Sequence, residues 1–252
     1  MLSIPIDILW LILEHVDKAT LVKMCKLNKV CCSCSQDVLY RDIRVDRLPN
    51  DARVFHTLAQ STHLARRVRS FELMIHVDSK QCKLQESLQN MTCLRILRIY
   101  SNIDFSILEG CTFKLLSFTC SFSNDRALDR FLLEQSSITD LEAYFSTLYD
   151  WPELGVTFLP KLTRVVAPFT KLPLLVPNRP VEEVSALGYN FEDDDLSFLT
   201  HSAIPIQKLT VEHMHLFPKP GQFLASLFPS LTHLELKTNY VHTIVRECPF
   251  FY

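Results

Sequence analysis

The chain has 252 residues, of which 48% are hydrophobic and 21% charged, a balance typical of a globular protein with a large core. Its 26 Lys and Arg residues against 28 Asp and Glu give a net charge of −2. Nucleic-acid binding usually needs a basic excess, so we expect no nucleic-acid partner. The four glycines are far apart, which excludes the Gly-rich loops of P-loop and Rossmann-type nucleotide sites.

The first 45 residues predict three short helices. The first follows Pro5, a residue favoured at the start of a helix, and its apolar residues recur at helical spacing: Ile8, Leu9, Ile12, Leu13 and Val16. Thr20 is expected to cap a second helix, and a third is expected from Cys31 to Val38. A unit of about 40 residues seldom buries enough apolar surface alone, so this one should need a partner.

Several motif elements of this segment occur in a recognisable order. They are Ile4-Pro5-Ile6-Asp7-Ile8-Leu9, Ile12-Leu13-Glu14-His15-Val16, Leu21, Cys25-Lys26-Leu27-Asn28-Lys29 and Leu39-Tyr40-Arg41-Asp42-Ile43. In this order and spacing they resemble an F-box over about residues 2–44. The segment departs from the family pattern with Ile4 in place of Leu and Tyr40 in place of Trp. A generic three-helix N-terminal cap is the alternative.

The F-box resemblance implies a surface that binds a Skp-type adaptor and, through it, a cullin-RING ubiquitin ligase. Such binding places apolar anchors from a helix in a groove of the partner. Carried over by position, the anchors are Pro5, Ile8, Leu9, Ile12, Leu39 and Tyr40.

The rest of the chain contains a recurrent apolar pattern at positions 0, +3 and +5. Its eight instances are Val68-Phe71-Leu73, Leu94-Leu97-Ile99, Leu115-Phe118-Cys120, Ile138-Leu141-Ala143, Leu162-Val165-Ala167, Val181-Val184-Ala186, Ile206-Leu209-Val211 and Leu231-Leu234-Leu236. One such triple is expected at about one position in nine by chance. The regular spacing of the triples is the stronger evidence. All but one of the gaps between the first residues of successive triples lie within 20–29 residues, the period of leucine-rich repeats.

Proline supports this phase, because Pro160, Pro180, Pro205 and Pro229 stand just before a triple, where a strand tolerates proline. Helix-like stretches lie between the triples, at 80–91, 125–135, 193–201 and 222–228. The Asn usual in such repeats occurs at Asn102 and Asn239. The region resembles a degenerate leucine-rich-repeat array, and unrelated β-α units of an α/β domain are the alternative.

In a solenoid of this kind, residues between the apolar triples line a concave face. Those expected to bind a target are Arg98, Tyr100, Glu142, Tyr144, Arg164, Lys208, Glu212 and Glu235, with neighbours that include Thr119 and Val166. Both charge signs occur together with tyrosine, a mixture that favours protein recognition. The alternative is that solubility alone requires polar residues there.

These patterns predict an α/β fold with three parts. Residues 1–45 form an F-box-like helical module, 46–66 a linking or capping helix, and 67–252 a leucine-rich-repeat-like solenoid with one parallel strand per repeat. The solenoid has about eight repeats. Cys248-Pro249-Phe250-Phe251 resembles the start of another, so we expect an incomplete array.

The chain offers no convincing catalytic or metal-binding signature. His213, His215 and His233 have no recognisable set of further zinc ligands, and Cys31 and Cys34 form a single CxxC. The acidic run at 192–195 is better explained as helix capping. The only basic cluster, Arg66, Arg67 and Arg69, is expected to form a solvated face. We therefore expect no cofactor, no metal and no catalytic residue.

The resemblances imply a non-catalytic substrate-recognition adaptor of a Skp-cullin-F-box ubiquitin ligase that binds an unknown protein target. The alternative is a repeat scaffold without a ligase, and a less favoured one is an α/β hydrolase. The N-terminal segment lacks the basic region of a signal peptide, and no apolar run is long enough to span a membrane. We expect a cytoplasmic or nuclear protein with reduced cysteines.

Overall fold

The computed structural model describes residues 4–46, 52–74, 83–101, 103–121, 126–144, 158–188, 196–212, 226–237 and 242–243. Within these ranges the chain is an α/β protein. Nine parallel strands are hydrogen-bonded in chain order, and a tenth pairs antiparallel with the ninth. The chain forms two compact units, one comprising the residues up to Arg98 with Ile107–Phe113, and the other Ile99–Ser106 with the residues from Lys114 onward.

The first unit begins with three helices, α1 (Ile6–Glu14), α2 (Lys18–Met24) and α3 (Lys29–Arg41). The Asp17 side chain caps α2 by accepting from the backbone N–H and the hydroxyl of Thr20, at 2.9 and 2.7 Å. The prediction that Thr20 is the cap was wrong: a carboxylate three residues earlier accepts the free N–H. The Asn28 side chain caps α3 by accepting from the backbone N–H of Cys31 at 2.8 Å, so this helix begins earlier than predicted. It also ends later than predicted, at Arg41.

These three helices share a small core of their own. Leu9, Leu13, Leu21 and Cys34 are buried in it, at 0–9% exposure. The Arg41 side chain ties α3 to α1 by donating to Glu14 at 2.8 Å.

The first unit continues with two helix–strand segments. Its elements are β1 (Asp42–Val45), α4 (Ala52–Gln60), α5 (Thr62–Ala65), β2 (Ser70–Leu73), α6 (Leu84–Asn90) and β3 (Ile96–Ile99), the last residue of which belongs to the second unit. The predicted linking helix is therefore two helices. Asp42 and Ile43, at the end of the predicted F-box-like segment, form a strand that pairs in parallel with β2.

The second unit carries the remaining strands. They are β4 (Ser117–Cys120), β5 (Asp140–Ala143), β6 (Arg164–Pro168), β7 (Glu183–Leu187), β8 (Lys208–Glu212), β9 (His233–Lys237) and β10 (His242–Thr243). The described helices between them are α7 (Arg126–Leu133), α8 (Leu172–Leu175) and 3₁₀ turns at Phe169–Lys171 and Ser197–His201; another 3₁₀ turn, Phe105–Leu108, precedes β4. The helix predicted at 193–201 is a 3₁₀ turn over its described part.

The predicted apolar triples set the positions of the strands. Each strand from β2 to β9 begins two residues after the first member of its triple. All members of the first seven triples are buried, and in the eighth Leu234 is buried while Leu231 and Leu236 are half-buried. The period read from the sequence is therefore confirmed strand by strand.

A repeated backbone contact marks the start of strands β5 to β9. One carbonyl oxygen accepts from the N–H of the first strand residue and from the N–H of the residue before it, at 2.8–3.1 Å. The acceptors are Leu116, Thr139, Thr163, Glu182 and Gln207. Proline is absent from these donor positions; before β6 to β9 it stands three or four residues ahead of the strand's first residue, where no such N–H is needed.

A ninth instance of the pattern precedes the eight predicted ones. Tyr40, Ile43 and Val45 have the spacing 0, +3 and +5, and β1 starts two residues after Tyr40. Val45 is fully buried. The sequence alone does not predict this first strand, because Tyr40 and Ile43 also fit the end of the F-box-like motif.

Replacing Phe118 with Ala should destabilise the second unit by about 3–5 kcal/mol, since its buried ring packs 6.5 Å from Phe105 and 5.8 Å from Phe131. Leu133→Ala is the control, because Leu133 is 57% exposed and its truncation should change stability by less than about 0.5 kcal/mol. The measurement is the free energy of unfolding in urea. Equal losses for the two variants would contradict the assignment of Phe118 to the core.

Candidate functional site

Exposed apolar side chains are concentrated in the three N-terminal helices. Twelve large apolar side chains of the described residues are exposed, and eight of them lie between Ile4 and Val30. They are Ile4, Ile6, Ile8, Leu11, Ile12, Val22, Leu27 and Val30, at 47–67% exposure. Such a density of apolar surface in so short a segment is typical of a protein-binding site.

Helix α1 has two apolar faces. Leu9 and Leu13 lie on the face that packs into the helical core. At 100° per residue, Ile8, Leu11 and Ile12 fall beside it on an arc about 100° wide, and Ile4 continues this arc before the helix begins. We call these four residues the α1 apolar stripe. The helical core leaves this stripe uncovered.

The predicted adaptor contacts divide between these two faces. Pro5, Ile8 and Ile12 are exposed, whereas Leu9 is 9% exposed and belongs to the core. Leu9 is predicted to contact a partner, but its buried side chain is not accessible for such a contact. Leu39 and Tyr40 are half-buried, and Leu39 packs against the core of the helices. Leu11, which the prediction omitted, is exposed on the stripe.

A second surface is formed by polar side chains on strands β4 to β9. The parallel register sets one row of residues side by side: Ser117, Asp140, Arg164, Glu183, Lys208 and His233. Opposite charges alternate along this row from Asp140 to Lys208. The next row contains Thr119, Glu142, Val166, Ser185, Thr210 and Glu235. We call the two rows the strand polar face.

Arg164 lies at the centre of the strand polar face. Its guanidinium donates to Asp140 and Glu142, both at 2.6 Å, and lies 3.9 Å from Glu183. Lys208 pairs with Glu183 at 2.5 Å, and Lys237 lies 3.7 Å from Glu235. Hydrogen bonds and ion pairs thus connect adjacent strands across the face, which holds these side chains in defined positions.

The predicted target-binding residues are mostly brought together here. A cavity of about 270 Å³ is lined by Tyr144, Arg164, Lys208 and Glu235, and Glu142 lies beside it, in contact with Arg164 and Tyr144. Arg98 and Tyr100 are half-buried at β3 and just after it. Glu212 ends β8 opposite Lys237, but its side chain lies outside the described residues.

Two residues expected on the open face are buried instead. Thr119 is 1% exposed and donates its hydroxyl to Glu142 at 3.4 Å, while Val166 is 5% exposed between Glu142 and Ser185. Longer neighbours in the same row cover such short side chains. Alternation along a strand therefore predicts the direction of a side chain but not its accessibility.

The ionisable groups around Arg164 have shifted pKa values. Burial, together with the charge and the hydrogen bond of Glu142 at 3.3 Å, raises the pKa of Tyr144 to about 12. Burial lowers the pKa of Arg164, but the hydrogen bonds and charges of Glu142 and Asp140 outweigh it and raise that pKa overall. Both groups keep their protons at neutral pH, and the phenol remains a hydrogen-bond donor.

Removal of Arg164 should destabilise the fold more than removal of its neighbouring cation. Arg164→Met leaves Asp140 and Glu142 as adjacent carboxylates without their cation, at a cost of about 1–3 kcal/mol. Lys208→Met is the matched control, expected to cost less than about 1 kcal/mol because the Lys208 side chain is 52% exposed and makes a single pair. The measurement is urea unfolding of both variants. A cost for Lys208→Met as large as that for Arg164→Met would contradict the central role of Arg164.

Burial shifts four thiols of the described residues away from reactivity: Cys25, Cys34, Cys111 and Cys120. Burial raises the pKa of Cys111 to about 12 and that of Cys120 further. Burial also raises the pKa values of Cys25 and Cys34. Over the described ranges no three His, Cys, Asp or Glu residues are grouped to hold a metal ion. His213, His215, the acidic run at 192–195, Asn102, Asn239 and the segment at 248–251 lie outside the described residues.

Cys111 and Cys120 should resist alkylation in the folded protein at pH 8, because the thiolate is the reactive form and burial raises both pKa values. Iodoacetamide labelling followed by peptide mass spectrometry measures this. Half-buried Cys93 serves as the internal comparison and should be labelled first. In urea all three should react at similar rates, and rapid native labelling of Cys120 would contradict its burial.

The structure thus defines an α/β protein with parallel strands, an exposed apolar helix stripe and a polar strand face. Among the described helices, none combines the length and apolar character needed to cross a bilayer. No protein-family model matches the chain, and no curated protein matches its sequence.

Proposed function

We propose that this protein is a non-catalytic recognition adaptor that acts in the cytosol or the nucleus. Its N-terminal helices bind a Skp-type adaptor of a cullin ubiquitin ligase, and its strands bind a protein target. The single observation that carries the proposal is the α1 apolar stripe, which stands uncovered on a helix that already packs its other apolar face. The F-box resemblance of the same segment supplies the identity of the partner.

The stripe has the properties of a helix-in-groove anchor. Ile8, Leu11 and Ile12 recur within two turns of one helix, the spacing that such grooves accept. Burying apolar side chains in a partner is favourable at about 25 cal/mol per Å². The buried Leu9 and Leu13 hold α1 against α2 and α3, so the stripe is presented by a fixed helix and loses little entropy on binding.

The strand polar face supports the second half of the proposal. It offers charges of both signs, fixed by hydrogen bonds, around an exposed tyrosine (Tyr144, 43% exposed). Tyr and Arg are among the residues most enriched at the energetic centre of protein interfaces. In this role the protein performs no chemistry; it raises the effective concentration of a bound target near the ligase.

Leu11→Asp should reduce the amount of Skp-type adaptor recovered with the full chain by at least about tenfold, since a charge replaces a groove-filling leucine. Leu133→Asp is the matched control, because Leu133 is also a helical leucine and is 57% exposed like Leu11. Recovery is measured by pulldown with purified adaptor. Free energies of unfolding are measured for both variants and should stay within about 0.5 kcal/mol of the parent.

The proposal fails if the unaltered chain does not bind the adaptor. The scaffold function without a ligase would then replace it. It fails equally if Leu11→Asp and Leu133→Asp reduce recovery to the same extent. Ile8→Asp, on the same stripe, provides a second variant and should act like Leu11→Asp.

A further inference from the structure

A cavity of about 260 Å³ in the first unit has a wall rich in arginine. Four of its lining residues are arginines: Arg41, Arg66, Arg67 and Arg69. Trp10, His63 and Asp37 complete the lining, so four cations face one carboxylate. In a chain whose net charge is −2, this is a local excess of positive charge. The expectation that Arg66, Arg67 and Arg69 form a freely solvated face was wrong for Arg67, whose side chain is 16% exposed.

Two of the arginines are fixed by partners on α1 and α3. Arg67 pairs with Asp37 and donates to the backbone oxygen of Ser33 at 2.9 Å. Arg41 pairs with Glu14, and its guanidinium lies 4.3 Å from the centre of the Trp10 ring, a cation–π distance. These contacts hold the two guanidinium groups at the cavity before any ligand arrives.

The other two arginines supply the uncompensated charge. Arg69 donates to the backbone oxygens of Arg66 at 2.8 Å and Cys93 at 3.4 Å, so it is held in place by neutral groups. The Arg66 side chain is exposed. Over the described part of the chain, neither Arg66 nor Arg69 forms an ion pair with a carboxylate. The cavity therefore has two positive charges available for an anion.

We propose that this cavity binds an acidic side chain of a protein partner. A guanidinium presents paired N–H donors that match a carboxylate, and the lining offers several such groups in fixed positions. The volume is below the roughly 300–1,000 Å³ of pockets that enclose small molecules, so it accommodates a side chain better than a nucleotide. The partner segment is thus an acidic peptide rich in Glu or Asp.

This site is distinct from the α1 apolar stripe. Helical spacing places Trp10 on one side of the Leu9–Leu13 face of α1 and places Ile8 and Ile12 on the other side. The inference goes beyond the proposed function, because it requires neither an F-box nor a ligase.

The test is binding of a fluorescein-labelled hexaglutamate peptide to the full chain, measured by fluorescence anisotropy. A hexaglutamine peptide is the neutral comparison, and a neutral peptide carrying one phosphoserine tests phosphate as the anion. Hexaglutamate should bind more tightly than hexaglutamine, and its affinity should fall as salt increases. Arg66→Glu should weaken it by at least about tenfold, because attraction to a carboxylate becomes repulsion.

Arg53→Glu is the matched control. Arg53 is an exposed arginine on α4 that does not line the cavity, and its reversal should change the affinity by less than about twofold. Equal weakening by Arg66→Glu and Arg53→Glu would overturn the site, as would equal affinity for hexaglutamate and hexaglutamine. Binding of the phosphoserine peptide alone would overturn the choice of a carboxylate.

The two proposals fail separately. Arg66→Glu should leave adaptor recovery unchanged, and Leu11→Asp should leave hexaglutamate binding unchanged. If Leu11→Asp abolished peptide binding as well, the acidic peptide would bind at the stripe and the cavity assignment would be wrong.

Discussion

Each strand of this protein depends on the strand before it for its hydrogen bonds. The strands have four or five residues for the most part, too few to be stable alone, and β1 to β9 are paired in parallel in chain order. At β5 to β9 one carbonyl oxygen of the preceding segment accepts from the N–H of the first strand residue and from the N–H just before it. The buried triple then fixes which side of the strand faces inward. The pairing of successive strands therefore positions the helices, the turns and the strand polar face.

The sequence predicts the repeating part of this fold well because burial is periodic. In each triple the residues at +3 and +5 lie on one side of a short strand, and the residue at 0 stands two positions before the strand begins. Each of the eight triples thus marks one strand. Less regular features were harder to predict. β1 carries the same spacing, but Tyr40 and Ile43 also satisfied a helical motif, and only the pairing with β2 decides between the two. Leu9 and Ile8 are similar residues on one helix, and only the packing of α2 and α3 shows which is free.

The charged contacts could not be predicted because they join residues that are distant in sequence. Arg164 meets Asp140 and Glu142 more than twenty residues earlier, and those partners follow from the register of neighbouring strands. Gaps between successive triples vary from 19 to 28 residues, so counting along the chain does not give this register. Arg67 is a similar case. The run of arginines in the sequence suggests a solvated face, and only the structure shows that Arg67 pairs with Asp37, thirty residues earlier.

The alternation of charge along the strand polar face also favours one order of strands. In the native order Asp140, Arg164, Glu183 and Lys208 lie side by side with unlike charges adjacent. Exchanging β6 with β7 would place Asp140 beside Glu183 and Arg164 beside Lys208, two pairs of like charge directly opposite each other. The apolar triples are too similar to one another to prevent such an exchange. We therefore expect the alternating charges of the strand polar face to disfavour misassembled arrangements of similar repeats during folding.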